Sequence, residues 1–180
     1  LTRMPIVDRR DRLVGHRLRL IDGAASTLLE RLATDPPEAQ VFVDVPAEEL
    51  GDAGASARGL GRVVLCPTGD AADPASSQAA LERMRARGIH LALTDVNPTS
   101  SWLARLSAAE YAGVDPKRLP ATHLNRYVEA LHKRRARVIA TCVRSVAGRG
   151  AAQDAGFDLI EGDWFVRDPQ QGSGRLDPAY

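Results

Sequence analysis

Val41-Phe42-Val43-Asp44-Val45 is a run of five residues, four of them apolar, with no alternation between polar and apolar positions. A strand with one wet face alternates. A run apolar at successive positions suits a strand buried on both faces, as in a parallel sheet covered by helices. Outward from this run, comparable segments recur at Val63-Cys66, Ile89-Leu93, Tyr111-Val114, Val138-Val143 and Phe157-Ile160. Each is four to six residues long and rich in Val, Ile and Leu. Successive runs lie roughly 20–28 residues apart, the repeat of a βαβ unit.

The segments between the runs read mostly as helices. Asp73 suits an N-cap, Pro74 suits the first helical position and Gly88 suits a left-handed stop, which predicts a helix over Pro74–Arg87 with Leu81 and Met84 facing inward. Leu124, Val128 and Leu131 follow i, i+4, i+7 spacing and predict a helix over Thr122–Lys133, with basic residues in its last turn. Shorter helices are expected over Ala24–Leu32 and Val146–Ala155, the latter stopping at Gly156. The Gly/Ala/Ser-rich stretch Gly51–Gly61 reads as a loop rather than a full helix. Ahead of the repeat, Pro5-Ile6-Val7-Asp8 and Leu13-Val14-Gly15 flank the polar turn Arg9–Arg12. They predict a β-hairpin whose second arm runs on through Leu18 and Leu20.

The total is about seven or eight strands with no second core, which predicts a TIM-barrel-like (β/α) barrel with an N-terminal hairpin. An open doubly wound sheet is the alternative. No Gly-x-Gly-x-x-Gly follows a first strand, so a dinucleotide site has no fingerprint, and Gly59-Leu60-Gly61 precedes a strand as a turn.

Composition narrows the function classes. A length of 180 residues suits one compact domain, and 24 Lys plus Arg against 23 Asp plus Glu leave a net charge of +1. That balance supplies no electrostatic reason to expect a nucleic-acid or membrane-surface partner. Cys66 and Cys142 stand alone, without metal or redox spacing, and fit a reducing cytoplasm. No apolar run is long enough to span a bilayer, and the N-terminus lacks the order of a signal peptide. The first residue is not methionine and the chain closes on a Gly/Pro-containing tail, Gly172–Tyr180, so a neighbouring domain is expected beyond what is seen.

In this order the segments resemble an EAL domain, the cyclic di-GMP phosphodiesterase fold, and in particular the short form joined to HDOD domains. Pro5-Ile6-Val7-Asp8 with Leu13-Val14-Gly15-His16 resembles the hairpin leading into the signature Glu-x-Leu strand. Val41–Val45 resembles the strand that ends in an asparagine. Arg87–Asp95 is similar to the strand that ends in two aspartates. Tyr111–Pro116 resembles the strand with a lysine before its final aspartate. Val138–Val143 is similar to the strand with two glutamates, and Ala155–Phe165 resembles the closing segment, which carries Gln-Gly and an aromatic pair. The resemblance implies a barrel shortened to 180 residues, with residues 1–170 as one degenerate domain and 171–180 as a tail or linker.

Active members of that family cut one phosphodiester bond with two divalent metals held by carboxylates, because hard cations need oxygen ligands and their bound water must be deprotonated near neutral pH. By the same resemblance the signature glutamate falls at Arg17, the asparagine at Asp44 and the next glutamate at Cys66. The aspartate pair falls at Thr94 and Asp95, the lysine at Gly113, the later glutamates at Thr141 and Arg144, and the glutamine at Glu161. Two charges are reversed and the thiol of Cys66 is a poor ligand for magnesium. No metal, cofactor or catalytic residue is expected. The vestigial rim of Arg17, Asp44, Asp95, Arg144 and Glu161 is the candidate ligand site.

Each of these residues also has a plainer reading. Asp95 at a strand end is favoured as a turn or helix cap over a relic ligand. Arg17 and Arg144 either hold a phosphate or pair with Asp44 or Asp95. Cys142 with His16, His90, His123 or His132 has no nucleophile spacing, and a packed thiol is the expectation. Lys133-Arg134-Arg135 reads as a solvated helix end, Trp164 with Phe165 as the plug of the closing segment, and Trp102 as partly exposed.

The functional expectation is a cytoplasmic, catalytically inactive EAL-like regulatory domain. It would work through a protein partner, an adjacent output domain such as HDOD, or a second copy of itself. The alternative is a non-hydrolysing sensor of cyclic di-GMP or another nucleotide, with loss of Glu-x-Leu arguing against cyclic di-GMP. An enzyme of different chemistry on the same barrel comes last, for want of a nucleophile–base pair.

Overall fold

In the computed structural model the described residues are 1–21, 23–68, 74–95 and 109–164. Eight strands occur in chain order: β1 Thr2–Asp8, β2 Leu13–Arg19, β3 Gln40–Pro46, β4 Val63–Thr68, β5 His90–Leu93, β6 Tyr111–Val114, β7 Arg137–Val143 and β8 Leu159–Gly162. They close into a barrel in sequence order, β8 pairing back onto β1. The open-sheet alternative is thereby excluded. From β2 to β8 every neighbouring pair is parallel, whereas β1 runs antiparallel to both β2 and β8. The hairpin is thus the barrel's seam.

Side-chain alternation sorts the strand residues into two apolar layers. Phe42, Val64, Ala92, Tyr111, Ile139 and Leu159 join Ile6 and Cys66 in a cluster of their own, filling the barrel's interior. Their neighbours Val43, Leu65, Leu91, Ala112, Val138 and Ile160 belong to the second cluster, which includes the helices' inner faces. From β3 to β8 the strands are therefore buried on both faces over most of their length, which is why the runs do not alternate in polarity. Within the interior, Phe42 meets Tyr111 edge-on at 5.1 Å between ring centroids, and the Tyr111 hydroxyl donates to Gln40 Oε1 at 3.1 Å.

The helices of the outer layer are α1 Ala25–Thr34, α2 Leu50–Ser56, α3 Pro74–Ala86, α4 Ala121–His132 and α5 Val146–Asp154. Leu29 of α1, Leu81 and Met84 of α3, and Leu124, Val128 and Leu131 of α4 are buried on the expected stripes. Gly88 ends α3 at φ +77°, a conformation that costs glycine nothing. The N-cap expected at Asp73 and the readings of Trp102 and Phe165 lie outside the described residues, while Trp164 is buried as expected.

One expectation is corrected. Leu50–Ser56, which overlaps the Gly51–Gly61 stretch read as a loop, is a seven-residue helix. Its small residues are there for packing: Ala53 is fully buried, and a Cβ on Gly54 would sit 3.0 Å from Met84 Cε. Close approach to α3 overrides weak helix propensity. The turn before it also serves α1, where the Ala25 amide donates to Glu49 Oε2 at 2.7 Å.

The Arg9–Arg12 turn lies at the N-terminal end of the parallel strands. Asp8 accepts from the Arg10 and Arg12 amides and from Arg12 Nε at 2.8, 3.0 and 2.7 Å. Asp11 pairs with Arg149, and Arg9 exchanges hydrogen bonds with Gln153, tying the hairpin to α5.

Phe42→Ala is expected to cost about 3–5 kcal/mol, because a fully buried ring in a closed interior leaves a cavity its neighbours cannot fill. Urea denaturation should show a lower midpoint at unchanged slope.

Candidate functional site

The strands' C-terminal ends carry the next inward-facing positions above the apolar filling. Arg17, Asp44, Thr94, Thr141 and Glu161 are buried, and tyrosine aside they are the buried polar and charged residues among the described ones. All five belong to this one layer, together with buried Cys66 and Gly113. Strand period dictates the placement: Asp44 follows Phe42 by two, Cys66 follows Val64, Thr141 follows Ile139 and Glu161 follows Leu159.

Arg17 lies at the centre of the layer's charged half. Its Nε donates to Asp44 Oδ1 at 2.6 Å and its Nη1 to Glu161 Oε2 at 3.3 Å. Asp44 and Glu161 are 7% exposed and Arg17 is 8% exposed. The second Asp44 oxygen accepts from Arg19 Nε at 3.0 Å. Because β1 stands between β2 and β8, the Arg17–Glu161 bridge spans the seam strand.

Protonation follows from this geometry. Burial would weaken Arg17's hold on its proton, but Glu161 and Asp44 outweigh that, so the net shift is upward and the guanidinium stays charged. Burial raises the Glu161 carboxyl above its ordinary value, with Arg17 opposing. Burial also pushes the Cys66 thiol well up, Arg17 again opposing, so its sulfur remains protonated.

The other half of the layer is neutral. A Cβ placed on Gly113 would meet Thr141 Cγ2 at 3.2 Å and Thr94 Cα at 3.4 Å. Threonine methyls therefore occupy the room a longer side chain at 113 would need.

Two candidates from the sequence do not join the cluster. Asp95 adopts φ +55°, is 67% exposed and faces Arg118 Nη1 at 3.5 Å. No cap by Asp95 is seen among the described residues, since the chain beyond it lies outside them. Arg144 is exposed and pairs with neither Asp44 nor Asp95; both Asp44 oxygens already serve Arg17 and Arg19. Of the two arginines, Arg17 took the pairing role and Arg144 did not. Arg19 was missed by sequence reasoning, although it lies two residues beyond Arg17, the spacing that returns to one face of a strand.

The expectation of a packed Cys142 is also corrected. Cys142 is exposed, at φ +58°, where the β7–β8 register shifts, and the shift turns its side chain outward between buried Thr141 and Val143. Partial burial, with Asp115 and Glu161 nearby, raises its thiol pKa, which disfavours a nucleophilic thiolate. Neither cysteine hydrogen-bonds a histidine among the described residues; His16 contacts Arg3, His90 contacts Glu110 and His132 contacts Asp158. Lys133, Arg134 and Arg135 are exposed.

Beside Arg17 the rim opens into a cavity of about 110 Å³ between β1, β2, β7 and β8, its wall including Arg19, Cys142, Arg144, Glu161 and Asp163.

No protein-family model matches the sequence, and no curated protein matches it. Solved structures do match in shape. PaMucR phosphodiesterase in its c-di-GMP complex has a TM-score of 0.74 at 16% identity, covering 89% of this chain and 92% of that one. The EAL domain protein from Listeria monocytogenes EGD-e has a TM-score of 0.71 at 12% identity, covering 91% of this chain and 85% of that one. The Bacillus subtilis YkuI protein, with an EAL domain and in complex with c-di-GMP and calcium, has a TM-score of 0.70 at 17% identity, covering 97% of this chain and 56% of that one. The fold is EAL-like.

A two-metal cluster does not fit this EAL-like rim. Both Asp44 oxygens and Glu161 Oε2 are engaged by arginines, Asp95 faces Arg118, and Cys66 offers a protonated sulfur. Among the described residues no three His, Cys, Asp or Glu side chains are grouped to hold a metal ion.

Arg17→Met strands two buried carboxylates side by side and is expected to cost about 3–5 kcal/mol at neutral pH, as breaking a buried pair does. Adding Glu161→Gln should recover part of the loss. Glu161→Gln alone addresses pH. The folded protein holds the Glu161 proton more tightly than the unfolded chain, so stability falls as pH rises from about 4.3, the ordinary glutamate value, through the raised folded value. The variant should flatten that slope in urea titrations run across the acid range.

Proposed function

We propose that this chain is an EAL-like domain that does not hydrolyse cyclic di-GMP and acts as a regulatory module through protein contacts. One observation carries the reading: the Arg17 guanidinium, clamped by Asp44 and Glu161, fills the place between the rim's carboxylates with a covalently tethered cation. Two-metal hydrolysis needs hydrated ions that can bind substrate and activate water, and a guanidinium supplies neither an open coordination position nor an acidic bound water. What remains is a closed barrel whose buried rim network of Arg17, Arg19, Asp44 and Glu161 is charge-neutral. Retention of the fold alongside loss of the metal ligands supports selection for shape and surface. A protein partner is the corresponding proposal, an adjacent output domain or a second copy of the chain. No helix among the described residues is long and apolar enough to cross a membrane.

The test is isothermal titration calorimetry with cyclic di-GMP, with and without magnesium, followed by chromatography for linear product. No product in either condition is expected. Turnover in magnesium would overthrow the proposal, and binding without turnover would convert the module into a sensor.

A further inference from the structure

The cavity beside Arg17 has its own chemistry. At about 110 Å³ it is well below the roughly 300–1,000 Å³ of pockets that enclose drug-sized ligands. That size suits a single tetrahedral anion.

The charges on its wall are unequally committed. Arg17 is paired with Asp44 and with Glu161 Oε2, so its charge is balanced within the buried network. Arg19 is anchored through Nε to Asp44 Oδ2, which holds its guanidinium plane in place and leaves both Nη groups without a hydrogen-bond partner among the described residues. Asp163, the remaining acidic wall residue, is not without an interaction of its own. Arg144 lines the lip, is exposed, and has no ion pair or hydrogen bond among the described residues. The floor is thus a neutralised network, and the uncommitted donors above it belong to two guanidinium groups. Such planar forks match the oxygen spacing of phosphate and bind it through paired, charge-assisted hydrogen bonds.

We propose that the cavity between β1, β2, β7 and β8 is a metal-independent site for a small anion of the phosphate class, gripped by Arg144 and by the free edge of Arg19. Arg19 is the preset half, oriented by Asp44. Arg144 is the exposed half, reaching the anion from the lip. The inference rests on the metal-free reading of the rim, and it differs from that reading in naming a ligand.

The test is calorimetry and thermal shift with inorganic phosphate and pyrophosphate, at low ionic strength, in EDTA and separately in magnesium. Wild-type protein should bind saturably in EDTA. Arg144→Ala should weaken binding by about tenfold or more, equivalent to about 1.4 kcal/mol. Arg144→Lys should restore part of it, and Arg126→Ala, on the exposed face of α4 outside the cavity, should bind as wild type. No saturable binding in either buffer, or an Arg144→Ala variant that binds undiminished, overturns the anion site and leaves the metal-free rim standing. Binding that requires magnesium and disappears in EDTA overturns both.

Discussion

The structure turns on one buried guanidinium. Arg17 cannot be left uncharged in the barrel mouth, and it cannot be left unpaired there, since an isolated interior charge costs several kcal/mol. Its two carboxylate partners come from β3 and β8, and Arg19 balances the fourth charge, so the network is neutral as a whole. Each member is tolerable because the others are present. The bonds form only when β2, β3 and β8 take up one relative position.

That constraint explains how the two ends of the barrel differ. Below the charged layer the interior is apolar and closed by the Phe42–Tyr111 contact. Above it the wall opens beside the seam strand, where β7 and β8 slip in register and Cys142 is turned outward. The neutral half of the layer, with Gly113 packed against two threonines, is filled by methyl groups. Charge and openness therefore coincide on one side of the mouth, and it is there that the cavity forms.

Most of this architecture is legible in the residues. Non-alternating runs locate six strands because both faces are buried, and hairpin chemistry locates the other two. Leu50–Ser56 was illegible because its helix is held by the closeness that Ala53 and Gly54 permit, and composition alone reads such residues as loop. At the site, the resemblance to EAL domains placed Arg17, Asp44 and Glu161 on one rim, but it could not choose between pairing and phosphate for the two arginines. That choice depends on distance across the barrel, which no local pattern encodes. The exposure of Asp95 and Cys142 was equally hidden, since each is a single left-handed residue at or beside a strand end, a backbone departure that no local pattern announces.

The antiparallel seam has a consequence for biosynthesis. Ile6 finds its partner in Glu161, so closure joins two residues made far apart in time. At about 5–20 residues per second, the roughly 150 residues between them take on the order of ten seconds to emerge from the ribosome. Throughout that interval the outer edge of β1 offers unsatisfied amides and carbonyls to any passing strand. Pro5, which has no amide to donate, and the basic residues Arg3 and Arg9 at or beside the edge make it a poor template for the wrong partner. The hairpin thus waits as a guarded hem until the last strand arrives to be sewn to it.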